Sequence, residues 1–148
     1  PASQLLAASG QHLLLDMVGG SFDKLNDEQY LRQATLNIVK ETKMTLVEIE
    51  SHKLEPQGVS VVALIAESHL SIHTWPKHGS ALIDVFTIGS AVNLQDHLDY
   101  VIEQYGGNVT ASTYSIIPRG RPSKSVSVEM EDQFLPAEIM TVHKHKRK

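Results

Sequence analysis

Three strands in a row are predicted by residues 59–86, which read VSVVALIAESHLSIHTWPKHGSALIDVF. The first part, Val59–Ala66, is a nearly continuous run of apolar and β-branched residues, which is typical of a buried strand. Leu70, Ile72 and Thr74 alternate with Ser71 and His73 in the second strand, which Pro76 ends. In the third strand Ala81, Ile83 and Val85 alternate with a second set of residues, which are Leu82, Asp84 and Phe86. The stretch therefore predicts three strands of a sheet, the first of them buried.

The flanking sequence adds two helices and three more strands. Asn26 predicts the N-cap of a helix that ends near residues 40–42, and Asn93 predicts the cap of a second helix that a Gly-Gly pair closes. The further strands are predicted at Gln11–Val18, Thr45–Glu50 and Asn108–Ile117. The order β-α-β-β-β-β-α-β predicts an α/β (α+β) fold, a two-layer sandwich with two helices on one face of a mostly antiparallel sheet.

The chain has the size and composition of one globular domain. Its 148 residues are 41% hydrophobic and 20% charged, which predicts a single domain spanning residues 1–148. The absence of cysteine excludes disulfides, thiolate metal sites and a cysteine nucleophile. A net charge of −4 argues against nucleic acid as a partner, and no apolar run is long enough to predict a membrane span.

The two ends of the sequence carry further expectations. The first residues lack the basic region of a signal peptide, so we expect a cytoplasmic protein. Residues 121–148 are rich in turn-forming residues, which predicts a largely irregular C-terminal extension with a short ordered piece around Phe134–Met140. The last residues, His143–Lys148, are all basic or histidine and predict a solvated tail.

Candidate chemistry is concentrated in residues 66–80, AESHLSIHTWPKHGS, because many polar side chains lie there next to a strand predicted to be buried. Three histidines suggest a metal site: His69, His73 and His78. However, His69 and His73 would lie about 13 Å apart along a strand. That distance is too long for one zinc ion, so the sequence predicts no metal.

Two kinds of serine chemistry are also compatible with this segment. Ser68 or Ser71 with His73 could form a serine hydrolase, although the G-x-S-x-G elbow of that class is missing. In the other kind, the hydroxyl of Ser68 attacks the carbonyl of Glu67, and elimination from the resulting ester leaves a pyruvoyl group. Such a group is an electron sink like pyridoxal phosphate, but it is made from the chain itself. Local composition alone does not select between these alternatives.

Motifs along the chain follow the order and spacing of one known family. They are FDKLND at 22–27, HKLEPQGVS at 52–60, ESHLSIHTWP at 67–76, HG at 78–79, IDVFTIG at 83–89 and PRG at 118–120. Over roughly residues 11–120 the sequence resembles the S-adenosylmethionine decarboxylase proenzymes of bacteria and archaea. The combination is far more specific than any single short motif.

The resemblance implies a self-processing decarboxylase of polyamine biosynthesis. In that family the chain cuts itself at the position of Glu67 and Ser68, which would give a β chain of residues 1–67 and an α chain of residues 68–148. Ser68 would become a covalent pyruvoyl group that forms a Schiff base with the substrate. The resemblance therefore implies neither a metal nor pyridoxal phosphate.

The resemblance also implies which other groups take part. Ser60 and His73 correspond to the serine and histidine that assist processing in the family, and both are present. The family's protomers pair as homodimers, and their active sites lie near the interface between protomers. The expected partners are a second copy of the chain and a small substrate of the amino-acid type.

Positions that contact substrate in the family have changed in this sequence. Leu54 replaces the aromatic residue that stacks on adenine, and leucine has no π face. Lys77 replaces a glutamate that binds the ribose, and Ser80 replaces a tyrosine. Ile88 replaces the cysteine that donates a proton, which isoleucine cannot do. Glu55 is a new acid beside Leu54.

These changes predict a different substrate. The carboxylate of Glu55 could pair with the distal cation of a basic amino acid, so the sequence predicts a decarboxylase of L-arginine or L-ornithine. One alternative keeps S-adenosylmethionine as the substrate and supplies aminopropyl groups for spermidine. A second alternative is a non-catalytic homologue that regulates a partner decarboxylase. Glu55 and Lys77 could also be ordinary solvent-exposed residues with no role in substrate binding. With isoleucine at position 88, the proton must come from a held water molecule or from another side chain. The candidate side chains are Ser71, His78 and Ser80.

Overall fold

Six strands form one antiparallel sheet in the computed structural model, which describes residues 9–89 and 92–120. The strands are β1 (Gly10–Met17), β2 (Leu46–Lys53), β3 (Val59–Ile65), β4 (Ser68–Trp75), β5 (Ser80–Ile88) and β6 (Thr113–Arg119). Their order across the sheet is β2-β3-β4-β5-β1-β6, and every neighbouring pair is antiparallel. Residues 59–86 therefore supply three adjacent strands, as the sequence predicts.

Helices α2 (Glu28–Glu41) and α3 (Leu94–Gln104) pack against one face of this sheet. Their buried side chains join those of the strands in one hydrophobic core, in which Leu31 and Ile102 are almost fully buried. A one-turn helix α1 (Phe22–Leu25) and a 3-10 turn at Pro76–His78 are additions that the sequence did not predict. The predicted two-layer sandwich, with both main helices on one face, is confirmed.

The other face of the sheet, which we call the open face, is not covered by these helices. Its central residues are Ser60, Val62 and Leu64 of β3, His69, Ser71 and His73 of β4, and Leu82, Asp84, Phe86 and Ile88 of β5. In β3 the alternate residues Val59 and Val61 are fully buried, whereas Val62 is 44% and Leu64 is 51% exposed. The prediction of a buried strand at 59–66 is thus correct only for the side chains that face α2 and α3, because the described helices cover that face of the sheet alone.

The N-cap of α2 differs by one residue from the prediction. Asp27 is the cap, and its side chain accepts the N–H of Tyr30 at 3.0 Å. Asn26 instead accepts the N–H of Gly58 at 2.9 Å and so ties α1 to the loop before β3. Aspartate and asparagine are equally good capping residues, so the sequence alone does not decide between neighbours.

The last strand begins later than the sequence predicts. The pattern predicts a strand from Asn108, but β6 begins at Thr113. The side chain of Asn108 accepts hydrogen bonds from the main-chain N–H and the hydroxyl of Thr110, at 2.9 and 2.8 Å. Asparagine favours such turns because its side chain bonds to the backbone two residues on.

The C-terminal extension predicted at 121–148 lies outside the described residues, together with Phe134–Met140 and the basic tail His143–Lys148. Across residues 9–89 and 92–120, no helix combines the length and the apolar character needed to cross a membrane.

Candidate active site

The peptide between Glu67 and Ser68 lies in the tight turn from β3 to β4 and is held by several hydrogen bonds. The main-chain N–H of Ile88 donates to the carbonyl oxygen of Glu67 at 2.9 Å. The N–H of Thr45 donates to Oε1 of the Glu67 carboxylate at 3.0 Å, and the N–H of Ala66 donates to the carbonyl of Thr45 at 2.8 Å. Both the backbone and the side chain of the residue before the predicted cleavage are therefore fixed.

Ser68 has a backbone conformation that L-residues rarely adopt. Its φ angle is 149°, in the region that favours glycine. Backbone strain of this kind costs about 1–3 kcal/mol and persists only where the surroundings impose it. Rearrangement of the peptide before Ser68 would release that strain, so the conformation suits a peptide that reacts.

Ser60 and His73 form a hydrogen-bonded pair on the open face. They stand directly opposite each other in the β3–β4 register, and Ser60 Oγ lies 2.7 Å from His73 Nδ1. A histidine in such contact with a hydroxyl can take up or return a proton. The structure therefore brings together the two residues that the resemblance assigns to processing.

A cleft of about 560 Å³ opens beside this pair. Its lining residues are Leu54, Glu55, Pro56, Gln57, Ser60, His73, Thr74, Trp75, Pro76, Lys77 and His78. The cleft thus contains three of the changed substrate positions and carries both a carboxylate and an ammonium group. Neither of these charges takes part in an ion pair within the part of the chain that the structure describes.

The predicted site residues fall into two groups at opposite ends of β4. The pocket end comprises Leu54, Glu55, Ser60, His73 and Lys77, and the end of the predicted cleavage, which we call the cleavage end, comprises Glu67, Ser68 and Ile88. Ser68 and His73 stand at two ends of an extended segment, and a rise of about 3.3 Å per residue separates their Cα atoms by about 16 Å. One chain therefore does not bring its own His73 to its own Ser68.

The two remaining substrate positions lie at the two ends of β5. Ser80 is its first residue and stands opposite Trp75, near the pocket end. Ile88 is its last residue, and its side chain is 47% exposed on the open face at the cleavage end. Ile88 therefore contacts the peptide of the predicted cleavage through its main-chain N–H rather than through its side chain.

The alternative chemistries are not supported by the geometry. Within residues 9–89 and 92–120, no group of three His, Cys, Asp or Glu side chains is arranged to hold a metal ion, so His69, His73 and His78 do not form a metal site. The serine hydrolase interpretation pairs His73 with Ser68 or Ser71, but His73 is hydrogen-bonded to Ser60.

A polar cluster on the open face, which the sequence did not predict, joins β1, β5 and β6. Arg119 Nη1 donates to Nδ1 of His12 at 3.0 Å, and His12 Nε2 lies 3.2 Å from Oδ1 of Asp84. Arginine can only donate, so the proton of His12 is on Nε2 and points to Asp84. This hydrogen bond from His12 lowers the pKa of Asp84, partial burial opposes the effect, and the charges of His69 and His73 add to the lowering. No local signal could have found the cluster, because its members meet only through the strand register.

Comparison with known proteins identifies the family. The sequence model described as S-adenosylmethionine decarboxylase matches residues 11–120 of this chain. The chain belongs to the S-adenosylmethionine decarboxylase family. It is 43% identical over 104 residues to the S-adenosylmethionine decarboxylase proenzyme of Syntrophomonas wolfei, which covers 70% of this chain and 82% of the relative. The proenzyme of Clostridium tetani is 37% identical over 125 residues, covering 84% and 97% of the two chains.

A solved structure agrees with this membership. The crystal structure of the adenosylmethionine decarboxylase from Aquifex aeolicus superimposes with a TM-score of 0.70 at 32% identity, and covers 79% of this chain and 95% of that one. The resemblance and the fold predicted from the sequence are confirmed. As a member of the S-adenosylmethionine decarboxylase family, the chain is a pyruvoyl-dependent carboxy-lyase whose covalent pyruvoyl group is formed from one of its own serines. The alternative of a non-catalytic homologue is therefore not favoured.

Proposed function

We propose that the chain is a self-processing S-adenosylmethionine decarboxylase that supplies aminopropyl groups for spermidine. The relatives named above act, by their names, on S-adenosylmethionine, which favours this substrate over the arginine or ornithine predicted from the changed pocket. The observation that carries self-processing is the strained and held peptide between Glu67 and Ser68. A cytoplasmic location and the lack of nucleic-acid and membrane partners stay predictions from the sequence.

Cleavage at this peptide needs groups of the chain and one water molecule. Ser68 Oγ bonds to the carbonyl carbon of Glu67, its proton passes to the Ser68 nitrogen, and the peptide C–N bond breaks to leave an ester. Removal of the Ser68 Cα proton then breaks the Cβ–Oγ bond and releases Glu67 as a free carboxylate. The remaining enamine takes up water and loses ammonia, which leaves a pyruvoyl group at position 68.

The main-chain N–H of Ile88 is placed to assist the first step. It donates to the Glu67 carbonyl oxygen at 2.9 Å, where negative charge develops as Ser68 attacks. A main-chain donor does not depend on the side chain. The replacement of the family's cysteine by isoleucine therefore leaves this contact in place.

The proton-handling pair for this reaction comes from a second copy of the chain. Ser60 and His73 lie too far along the sheet from their own Ser68, at about 16 Å for the histidine. Half-exposed apolar side chains on the open face offer a surface for a second copy: Val62, Leu64, Leu82 and Ile88. Two open faces packed in opposite directions would place the pocket end of one protomer against the cleavage end of the other. We therefore expect a homodimer with two shared active sites.

The cleavage end suits a pyruvoyl group. The carbon atoms of that group come from Ser68, and the adjoining carbonyl of Glu67 is held by the main-chain N–H of Ile88. When present, the group is an electron sink for the charge left by the departing carbon dioxide. Ile88 has no proton to give, so the product must be protonated by another group. Among the candidates predicted from the sequence, His78 lines the cleft, which supports His78 as the donor.

The pocket end supplies the groups that bind substrate. Leu54 and Trp75 provide apolar walls that can contact the adenine without stacking by residue 54. Glu55 provides a carboxylate for a cationic substrate, and S-adenosylmethionine carries a sulfonium cation. A basic amino acid is the second candidate substrate, because the same Glu55 could pair with its distal cation while Lys77 no longer suits a ribose.

Release of carbon dioxide from carboxyl-labelled substrates tests the proposal. Purified protein is incubated separately with S-adenosylmethionine, L-arginine and L-ornithine, with the Ser68→Ala variant as the control. We expect release from S-adenosylmethionine alone and none from the variant. Release only from arginine or ornithine would contradict the proposed substrate, and release from none of the three would contradict the proposed activity.

A further inference from the structure

Thr87 carries a buried hydroxyl group without a hydrogen-bond partner. The residue is 1% exposed, and within residues 9–89 and 92–120 its Oγ1 is the buried side-chain polar atom left unpaired. The other buried threonine hydroxyls donate to main-chain carbonyls at 2.7 to 2.8 Å, namely those of Thr35, Thr42 and Thr74. An unpaired buried hydroxyl is unfavourable in a folded protein, so its presence requires a reason.

The strand register places this hydroxyl at the scissile peptide. Thr87 stands directly opposite Ser68 in the β4–β5 pair. The neighbouring pair, Glu67 and Ile88, is joined by a main-chain hydrogen bond from Ile88 N–H to Glu67 O. Because the two pair types alternate along an antiparallel ladder, Ser68 and Thr87 form a non-hydrogen-bonded pair, the type in which the side chains are closer together. In such pairs the Cβ atoms are about 4.5–5.5 Å apart, and serine and threonine hydroxyls can bond across the strands.

We infer that Thr87 is a positioning residue for self-cleavage, an inference that rests on the proposed cleavage between Glu67 and Ser68. Its Oγ1–H donates to Ser68 Oγ when that oxygen turns to attack the Glu67 carbonyl carbon. A hydroxyl oxygen has two lone pairs, so one can accept from Thr87 while the other forms the new bond to carbon. Thr87 forms and breaks no covalent bond, and the proton of Ser68 leaves by the route described above.

The strained backbone explains why the two hydroxyls do not bond before the reaction. Ser68 has a φ of 149°, far from the conformation of a regular strand, so its side chain is displaced from the usual cross-strand position. The partner of Thr87 is therefore absent in the resting conformation and becomes available as the strain is released. The strain at Ser68 therefore accounts for the unpaired hydroxyl of Thr87 in the uncut chain.

Replacement of Thr87 by valine tests the inference, because valine keeps the shape and removes the hydroxyl. The rate of self-cleavage is followed after cell-free synthesis by the appearance of the two fragments on denaturing gels. We expect Thr87→Val to slow cleavage roughly tenfold, the loss of about one hydrogen bond, and Thr87→Ser to restore the rate to within about twofold. The stability of the uncut chain is measured separately in the Ser68→Ala background, where Thr87→Val should unfold at the same or a higher denaturant concentration.

Thr42→Val is the matched control, since Thr42 is also buried but its hydroxyl bonds to the carbonyl of Ile38 at 2.7 Å in α2. We expect this variant to lose stability and to cleave at the wild-type rate. Wild-type cleavage by any folded variant without the Thr87 hydroxyl, with Thr87→Ala used if valine does not fold, would overturn the inference. Loss of stability by Thr87→Val would also overturn it, because the hydroxyl would then already be bonded. Failure of the wild-type chain to cleave would overturn the proposed function instead.

Discussion

Asp84 is the residue through which the open face should respond to pH. Its carboxylate accepts a hydrogen bond from His12 and is also stabilised by the charges of His69 and His73, which together lower its pKa from the ordinary value of 3.8. A carboxyl group with a lowered pKa in the folded chain stabilises the fold above its unfolded pKa. That contribution is lost as the pH falls through the lower, folded-state pKa.

Asp84→Asn should therefore reduce stability at neutral pH and have less effect in acid. The side chain is 42% exposed, so water screens the interaction and we expect a loss of at most about 1 kcal/mol at pH 7. The difference between the two chains should shrink as the pH falls below about 4. Urea unfolding from pH 7 to pH 3 measures this difference in the free energy of unfolding, with and without Asp84→Asn, both in the Ser68→Ala background. An equal difference at every pH would contradict this account of Asp84.

At the level of single elements, the N-cap of α2 distinguishes the structure from the sequence-based prediction. The side chain of Asp27 accepts the N–H of Tyr30, so Asp27→Ala should lower the free energy of unfolding by about 1 kcal/mol. Amide exchange of residues in the first turn of α2 should rise selectively, because the cap holds that turn. If exchange there rises with Asn26→Ala and not with Asp27→Ala, the cap is Asn26 and the assignment is wrong.

The open face of the sheet is the element that should bring two chains together. Leu82 lies on this face opposite His73 and is 47% exposed in one chain, so Leu82→Glu should leave the fold intact. In a dimer the same change would bury an unpaired charge, which is strongly unfavourable. We expect sedimentation to show a monomer and denaturing gels to show an uncut chain.

Phe22 offers a matched control for that variant. It is also 47% exposed but lies on α1, which is not part of the sheet. Phe22→Glu should remain dimeric and should be cleaved. A cleaved, dimeric Leu82→Glu chain would show that the open face is not the surface of association.

For the whole molecule, the separation between Ser68 and His73 predicts cleavage across the dimer. Chains with His73→Ala and chains with Ser68→Ala should each stay uncut when expressed alone. When the two are co-expressed with different tags, a mixed dimer has one complete site, formed by Ser68 of the first chain and His73 of the second. The His73→Ala chain should then be cut. If co-expression leaves both chains uncut, His73 acts within its own chain, and if the His73→Ala chain is cut when expressed alone, His73 is not needed for cleavage.

Much of the fold could be predicted because the strands alternate with a period of two and the helices carry caps and apolar stripes. The residues of the site could be named by resemblance, but their arrangement could not. Only four residues lie between Ser68 and His73 in the sequence, which suggests proximity, yet an extended strand places them near its opposite ends. Strand register determines which residues lie opposite one another, and no local sequence pattern predicts it. The position of Thr87 opposite Ser68 and the contact between His12 and Asp84 both depend on that register.

The mass of the purified chain under denaturing conditions tests the central claim most directly. Self-cleavage predicts two fragments that meet at Glu67 and Ser68, the larger with a blocked N-terminus that reacts with hydrazine as a ketone does. The Ser68→Ala variant should give one intact mass under the same conditions. A single uncut wild-type chain of 16.3 kDa would contradict the account.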